Sequence, residues 1–300
     1  MKGCTAERGK IVEERWINVD GVSTRYLETG TGKPVLLLPG EGSVAEQWHP
    51  VLEGLAHSHR AIAVDLPGYG YTDPLYGSNS PAQLASFVWR FAQEIGVESA
   101  AVVGHSLGGS VAVYMALQRP GKLSSLTLVS SAGMGRAISP AMVVHAVTPV
   151  GDLTKWLVPV IPFGPELLVK TIAALGARRP WRIPRPWWSS QLKAVRSPEA
   201  LSGTLRSIRS SVGLLGQKNP LVGRLPELSI PVLVVWGIQD LVVPFWQGIN
   251  ARRNLRRGEL KLFPCAGHLM PLEAADQFLA VLRPFLDRAG GGAPEEERWT

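Results

Sequence analysis

The 300-residue sequence contains only two cysteines, Cys4 and Cys265, which lie near opposite ends of the chain. A disulfide-stabilised small fold needs several cysteines, and a cysteine-ligated metal site needs closely spaced pairs of them. Because neither pattern is present, the sequence indicates neither a disulfide framework nor a metal cluster.

Charged residues and long apolar runs are also scarce. Only 18% of the residues are charged, whereas 45% are hydrophobic. No run reaches the roughly 18 apolar residues that a bilayer span requires. The N-terminus carries charges such as Lys2 and Lys10 where a secretory signal would have an apolar segment. The sequence therefore predicts a folded cytoplasmic protein with a large core.

The formal net charge of +7 does not by itself predict nucleic-acid binding. Much of the positive charge comes from separate arginine pairs such as Arg178-Arg179 and Arg252-Arg253, and there is no long basic tract. A nucleic-acid-binding domain would add a recognisable reading motif to such a charge. No such motif is present, so we predict no nucleic-acid partner.

Strand and helix signals alternate over two stretches of the chain. In the first, Asp20-Gly21 is typical of a two-residue hairpin turn. The apolar run 35–38, ended by Pro39-Gly40, predicts a strand that is buried on both faces. The alternation resumes at Ile230 and continues to Leu286. Repeated β/α units predict an α/β fold with a mostly parallel central sheet and helices on both faces.

Residues 133–225 interrupt this pattern. They are rich in proline, tryptophan and arginine, and they show helical signals without clear strand alternation. We interpret them as a helical cap inserted into an α/β core that comprises residues 1–132 and 226–288. Ligands bind at the C-terminal ends of the strands in open α/β sheets, and the cap should lie there. Residues 289–300, with a glycine triplet and three glutamates, predict a flexible tail.

A G-x-S-x-G motif, Gly104-His105-Ser106-Leu107-Gly108, follows the apolar run 100–103. This pattern is typical of a nucleophile elbow, a sharp turn from a buried strand into a helix. The serine there has a strained backbone, and its glycine neighbours allow close packing of the strand and helix. The motif therefore predicts Ser106 as a nucleophile.

A serine nucleophile needs a base to accept its proton and an acid to orient that base. Elbow-containing chains present these groups in the order serine, acid, histidine. Two histidines follow Ser106, and we favour His268, in a short loop before the last helix. His145 lies inside the predicted cap and fits a packed residue better.

Asp240 is the favoured orienting acid. It follows the predicted strand 232–236 and thus lies at the sheet edge that carries Ser106. Taken alone, such an aspartate could serve only as a helix cap or turn residue. Asp152 in the cap and Asp276 in the final helix are weaker alternatives.

With these residues in place, the chain resembles the α/β-hydrolase fold superfamily, in its branch with a serine nucleophile and a helical cap. The matching segments are Pro39-Gly40, Asp65–Gly70, the elbow, Gly237–Pro244 and Gly267-His268. The resemblance implies a catalytic triad of Ser106, Asp240 and His268. It argues against the branches of the superfamily that use an aspartate nucleophile.

The resemblance also locates an oxyanion hole, which needs two backbone N–H groups. The groups expected are those of Leu107 and Glu41. The usual His-Gly pair is replaced here by Pro39-Gly40, and a glutamate follows it. A carboxylate beside a developing oxyanion is unfavourable unless it points to solvent or pairs with a cation. An outward-facing Glu41 and a substrate-shaping Glu41 both stay open.

Three apolar residues, Trp48, Met142 and Trp156, are candidates for contacts with a hydrophobic substrate, although ordinary core or cap packing would also account for them. The Arg- and Trp-rich stretch 178–188 suits a membrane–water interface or the surface of an anionic amphiphile. A proline-braced loop with solvated arginines is the alternative for that stretch.

The sequence thus predicts a serine hydrolase that cleaves a carboxylic ester or a related acyl bond of a hydrophobic small molecule, without a metal or an organic cofactor. A carbon–carbon bond hydrolase acting on a ring-cleavage diketone product would share the triad. So would an acyl transferase in which an alcohol or peroxide replaces water. A non-catalytic binding scaffold on the same fold is the alternative from another class.

Overall fold

The computed structural model describes residues 12–77 and 79–290. In chain order the strands are β1 (Glu13–Val19), β2 (Val22–Thr29), β3 (Lys33–Leu38), β4 (His59–Val64), β5 (Ala100–His105), β6 (Leu123–Val129), β7 (Val212–Gly213), β8 (Gly216–Gln217), β9 (Val232–Gly237) and β10 (Gly258–Phe263). The helices are α1 (His49–Leu55), α2 (Pro81–Glu94), α3 (Leu107–Gln118), α4 (Pro140–Val147), α5 (Val150–Leu157), α6 (Gly164–Gly176), α7 (Arg185–Ala194), α8 (Pro198–Ser211), α9 (Trp246–Asn254), α10 (Met270–Glu273) and α11 (Ala275–Gly290).

Eight of these strands form one sheet in the order β1-β2-β4-β3-β5-β6-β9-β10. The pairs from β4 to β10 are parallel, whereas β1 and β2 are antiparallel to each other and β2 is antiparallel to β4. The predicted α/β fold with a mostly parallel sheet is therefore confirmed. In such a sheet the C-terminal ends of the parallel strands meet at one edge, where β5 and β9 carry Ser106 and Asp240.

The predicted hairpin turn joins β1 to β2. Asp20 and Gly21 both have positive φ angles, 50° and 86°. A two-residue turn of the type that matches strand twist needs this conformation at both positions, and Asp-Gly adopts it readily. The Asp-Gly pair thus sets the register of β1 on β2.

Strand β3 is buried on both faces, as its apolar run predicts. Val35 and Leu37 pack into one hydrophobic cluster, with α1, α10 and α11. Leu36 and Leu38 pack into the other, with α2, α3 and α9. Because side chains alternate along a strand, a run of four apolar residues supplies both helical layers at once.

Helices α4 to α8 form a separate group between β6 and β9, and we call this group the cap. The short ladder of β7 and β8 lies in the same region, where the sequence predicts no strand. Trp187 on α7 and Ala173 on α6 share a hydrophobic cluster with Val44 and Leu269 of the core. This cluster fixes the cap over the strand ends.

The sequence predicts that a flexible tail begins at residue 289, but the last helix continues to Gly290. Ala289 and Gly290 belong to α11, whose apolar residues Leu282 and Leu286 pack on the sheet. Residues 291–300 lie outside the described residues, as does Cys4. In the described part of the chain, no helix combines the length and the apolarity that a bilayer span requires.

Candidate active site

Ser106 lies at the turn from β5 into α3 with a strained backbone, φ 51° and ψ −116°. Glycines make this turn possible. A Cβ on Gly104 would lie 2.2 Å from the carbonyl oxygen of Gly108, and a Cβ on Gly108 would lie 2.3 Å from that of Leu38. Since both neighbours are backbone atoms, no side chain fits at either position. The strand and helix therefore pack tightly enough to hold Ser106 in its unusual conformation.

Asp240 and His268 are in direct contact. Nδ1 of His268 lies 2.8 Å from Oδ2 of Asp240, and both side chains are buried. The other carboxylate oxygen of Asp240 accepts hydrogen bonds from the backbone N–H groups of Val242 and Val243, each at 2.8 Å. A carboxylate can only accept, so it assigns the proton to Nδ1 and leaves Nε2 as the basic nitrogen of His268.

Ser106 and His268 line the same cavity, which has a volume of about 630 Å³ and lies between the strand ends and the cap. The cap helices contribute apolar side chains such as Met142, Leu168 and Ile172, together with polar ones such as Thr171 and Gln191. Ser106 and His268 thus line one largely apolar chamber, and Asp240 contacts His268. The catalytic triad itself stays a prediction.

His105, which directly precedes Ser106, reaches the loop of His268. Its Nε2 lies 2.9 Å from the carbonyl oxygen of His268, and the two rings are 4.6 Å apart. Burial lowers the pKa of His105 well below its ordinary value, and any charge on His268 lowers it further. A neutral His105 that donates through Nε2 satisfies this carbonyl.

Glu273 on α10 is a positioning residue that the sequence reasoning missed. It is buried, and its Oε1 accepts the N–H of Gly267 at 2.6 Å. Its Oε2 accepts the N–H of Arg179 from the cap at 2.7 Å. The same carboxylate therefore holds the loop of His268 and an adjoining cap segment. A glutamate inside the apolar stretch 269–274 is the signal that could have revealed it.

The segments that carry the two backbone groups predicted for the oxyanion hole lie beside Ser106. Leu107 begins α3, so its N–H has no acceptor within the helix. Gly40 precedes Glu41, and a Cβ at Gly40 would lie 3.3 Å from Cβ of Ser106. The loop that carries Glu41 therefore passes close to Ser106, and the role of the Glu41 N–H stays a prediction.

The carboxyl group of Glu41 does not point to solvent. Neither of its two hydrogen bonds is with a cationic side chain. It lines the cavity and accepts hydrogen bonds from the hydroxyl of Tyr69 at 2.5 Å and from that of Ser207 on α8 at 3.2 Å. Burial raises the pKa of Glu41 to about 7, although the two hydroxyl donors act in the opposite direction. Glu41 thus presents a carboxyl group to the chamber and links the core to the cap.

Of the three predicted substrate contacts, only Met142 lines the cavity. Trp48 is a correction: it lies just before α1, fully buried, with its ring 6.3 Å from that of Phe278 in the core beneath the sheet. Trp156 is a second correction, since 65% of its surface is exposed and it does not line the chamber. An apolar residue type does not reveal which face of its helix is turned inward.

The weaker candidates are placed elsewhere. His145 on α4 lines the cavity, and burial, with the nearby charge of Arg209, lowers its pKa. Asp152 is paired with Arg209 at 2.5 Å. Asp276 is exposed on α11. Among the described residues, no group of three His, Cys, Asp or Glu side chains is arranged to hold a metal ion.

Comparison with known proteins gives consistent matches. A family model of the alpha/beta hydrolase fold matches residues 33–154. The chain is 32% identical, over 91% of its length and 68% of the relative's, to the dihydrolipoyllysine-residue acetyltransferase component of an acetoin cleaving system from Cupriavidus necator. It is 27% identical, over 90% of its length and 94% of the relative's, to a 2-hydroxy-6-oxononadienedioate/2-hydroxy-6-oxononatrienedioate hydrolase from Comamonas testosteroni.

Solved structures share the fold. The structure of a thermophilic esterase from Thermogutta terrifontis superposes with a TM-score of 0.74 at 22% identity, and the match covers 92% of this chain and 99% of the esterase.

Proposed function

Because the chain belongs to the α/β-hydrolase fold family, we propose that it is a serine hydrolase that cleaves a carboxylic ester or a related acyl bond of a hydrophobic small molecule. The observation that carries this proposal is the placement of Ser106 on a strained elbow, in one cavity with His268, which is hydrogen-bonded to Asp240.

In the first half of the reaction, Oγ of Ser106 attacks the substrate carbonyl carbon while Nε2 of His268 accepts the hydroxyl proton. Asp240 stabilises the imidazolium that forms. The oxyanion of the tetrahedral intermediate is held by the N–H groups of Leu107 and Glu41, each worth on the order of 10²–10³ in rate. His268 then returns the proton to the leaving alcohol, and an acyl-enzyme remains.

In the second half, water attacks the acyl-enzyme while His268 accepts its proton. Collapse of the second tetrahedral intermediate releases the acid and restores the hydroxyl of Ser106. Because this cycle needs only groups of the chain and water, atoms and protons balance without another reactant.

Charge in the cavity favours an uncharged ester over the dienedioate that the Comamonas testosteroni relative is named for. A dienedioate carries carboxylates that need cations. Among the described lining residues there is no arginine, and the lysines are engaged: Lys155 pairs with Asp152 at 3.3 Å, and Lys218 donates to the carbonyl of Arg209. With the carboxyl group of Glu41 near the nucleophile, the chamber suits an uncharged substrate.

Labelling with a fluorophosphonate probe, together with a series of p-nitrophenyl esters of graded acyl length, tests the proposal. We expect the native protein to be labelled at Ser106 and to hydrolyse the esters, and Ser106→Ala to lose both properties. Ser124→Ala, an exposed serine on β6 outside the cavity, is the matched control. Failure of the native protein to react with the probe would favour the non-catalytic scaffold.

The orienting acid can be tested in the same assay. Asp240→Asn should lower kcat by about 10⁴-fold, since an amide no longer holds the correct tautomer of His268. Asp276→Asn, which lies outside the cavity, should retain activity. Adding alcohols to the reaction and measuring transesterified product distinguishes acyl transfer from hydrolysis, and a coloured dienoate substrate distinguishes carbon–carbon bond cleavage.

A further inference from the structure

The outer surface of the cap carries a concentration of exposed large apolar side chains. We call this set the cap apolar surface: Leu153, Trp156, Val160, Phe163, Leu167 and Leu175. Phe163 is 80% exposed and Val160 is 73% exposed. These residues are close in sequence and lie on α5, on α6 and on the turn between them. Soluble surfaces seldom expose so many large apolar groups together unless the area binds something.

The contacts between the cap helices show that these side chains are not exposed because a helix lacks a packing partner. Helix α5 packs against α4 and α8, whereas α6 packs against α7. Each helix thus already has a buried side, such as Val169 and Ala173 on α6, and the exposed apolar residues occupy the other. The cap is therefore apolar on both its inner and its outer side.

Phe163 supplies a second indication. It has a left-handed backbone conformation, with φ 60° and ψ 7°, at the start of α6. A bulky non-glycine residue in this region is strained, and such strain clusters at functional positions. Phe163 thus combines a strained backbone with a ring that is exposed to solvent.

Charge identifies the kind of partner. Residues 144–188 include six basic side chains and two acidic ones, Asp152 and Glu166. Both acids are neutralised within the cap, by Arg209 and by Arg196. Lys155 lies with Nζ 5.4 Å from the ring of Trp156, so a cation sits at the edge of the apolar area. Lys155 also pairs with Asp152 at 3.3 Å, so the charge argument rests on the net excess of basic over acidic side chains in residues 144–188. Apolar groups in a segment with such an excess of cations match a bilayer surface with anionic headgroups.

The surface is also continuous with the mouth of the cavity. Leu175 and Lys155 line the cavity and belong to, or border, the cap apolar surface. Leu241, which follows Asp240, is 66% exposed and lines the same cavity from the core side. Side chains of this surface therefore share a cavity with Ser106.

We propose that the cap apolar surface docks the protein onto a lipid bilayer that contains anionic headgroups, with Trp156 and Phe163 inserted at the interface. The sequence predicts interfacial chemistry for residues 178–188, whereas the apolar part of the proposed docking surface lies on α5 and α6, and the arginines follow α6 in the chain. Docking requires no chemistry at Ser106 and therefore stands apart from the proposed hydrolase activity.

Vesicle flotation with the full chain tests this proposal. We expect binding to vesicles of phosphatidylcholine mixed with phosphatidylglycerol, weaker binding to phosphatidylcholine alone, and a decrease with added salt. Trp156→Ser and Phe163→Ser should each lower the partition coefficient about tenfold, because each removes a large inserted side chain. Trp16→Ser, a half-exposed tryptophan on β1 at the sheet edge, is the matched control and should bind like the native protein.

Three results would overturn the proposal: no flotation with either vesicle, flotation that the Trp156 and Phe163 variants leave unchanged, or a concentration-dependent dimer that these substitutions dissociate without any vesicle binding. The last result would assign the surface to a second copy of the chain. Ser106→Ala should float like the native protein, so a failure of the hydrolase proposal and a failure of docking are separable.

Discussion

The imidazole of His105 donates through Nε2 to the backbone carbonyl oxygen of His268, at 2.9 Å. His105 directly precedes Ser106, so this hydrogen bond joins the nucleophile elbow to the loop of the proposed base. Nδ1 of His105 has no hydrogen-bond partner among the described residues, and its ring is buried. The two halves of the site are thus fixed to each other independently of the contact between Asp240 and His268.

Removing this hydrogen bond should affect turnover more than binding. In His105→Phe the ring remains but the donor is lost, so the buried carbonyl of His268 has no partner. We expect kcat to fall about tenfold with little change in KM, because a small misplacement of the base weakens proton transfer. The free energy of unfolding should fall by about 1–3 kcal/mol. Steady-state kinetics and urea unfolding measure the two effects.

His105→Gln is the conservative variant, since its side-chain amide retains a donor. Partial recovery of kcat relative to His105→Phe is expected. Equal losses in both variants, with kcat and stability falling in proportion, would show that His105 acts only by filling space.

The elbow itself should tolerate no side chain at Gly104. In Gly104→Ala the new Cβ would lie 2.2 Å from the carbonyl oxygen of Gly108, and a backbone atom cannot move aside as a flexible side chain can. We expect a loss of stability of about 3 kcal/mol or more and loss of fluorophosphonate labelling at Ser106. Gly223→Ala, where the added Cβ meets nothing within 4 Å, is the control. A Gly104→Ala protein of native stability would contradict this account.

Much of this architecture follows from local sequence signals. The apolar run of β3 supplies both helical layers, and Asp-Gly fixes the hairpin, because each depends on residues adjacent in the chain. The meeting of Asp240 and His268 is predictable for a related reason: parallel strands deliver their C-terminal ends to one edge of the sheet. Chain order and topology together suffice for this pair.

Other contacts depend on how the cap lies on the core, which no local pattern records. The partners of Glu41 are Tyr69 from the core and Ser207 from α8, at sequence separations of 28 and 166 residues. Trp48 and Trp156 show the same limit in another form. Both are apolar candidates in sequence, yet one is buried beneath the sheet and the other faces solvent.

The partly buried Glu41 should make stability depend on pH. Its pKa is about 7 in the folded protein against an ordinary 4.5, so the folded state binds the proton more tightly than the unfolded state does. The resulting stabilisation is complete below pH 4.5 and is lost as pH rises through 7. Relative to Glu41→Gln, the native protein should lose up to about 3 kcal/mol over this interval, less to the extent that solvent screens the group.

Urea unfolding of both proteins across this pH range measures the difference. Tyr69→Phe provides an internal test, because loss of a donor to Glu41 raises the pKa of that carboxyl further and should move the interval to higher pH. A difference between the native protein and Glu41→Gln that does not vary with pH would contradict the assignment.

Glu41 should also select substrates by charge. When ionised, it opposes a carboxylate on the acyl group, since like charges a few ångströms apart in a partly buried site cost on the order of 1–4 kcal/mol. We expect the native protein to prefer p-nitrophenyl butyrate to the p-nitrophenyl half-ester of succinate, and the preference to grow as pH rises through 7. Because both esters use the same base, the ratio of their kcat/KM values cancels the titration of the catalytic groups. Glu41→Gln should lower the ratio about tenfold and remove its pH dependence. Glu53→Gln, which removes an exposed carboxylate on α1, is the control and should leave the ratio unchanged. If Glu41→Gln also left the ratio unchanged, the carboxyl group of Glu41 would not select substrates by charge.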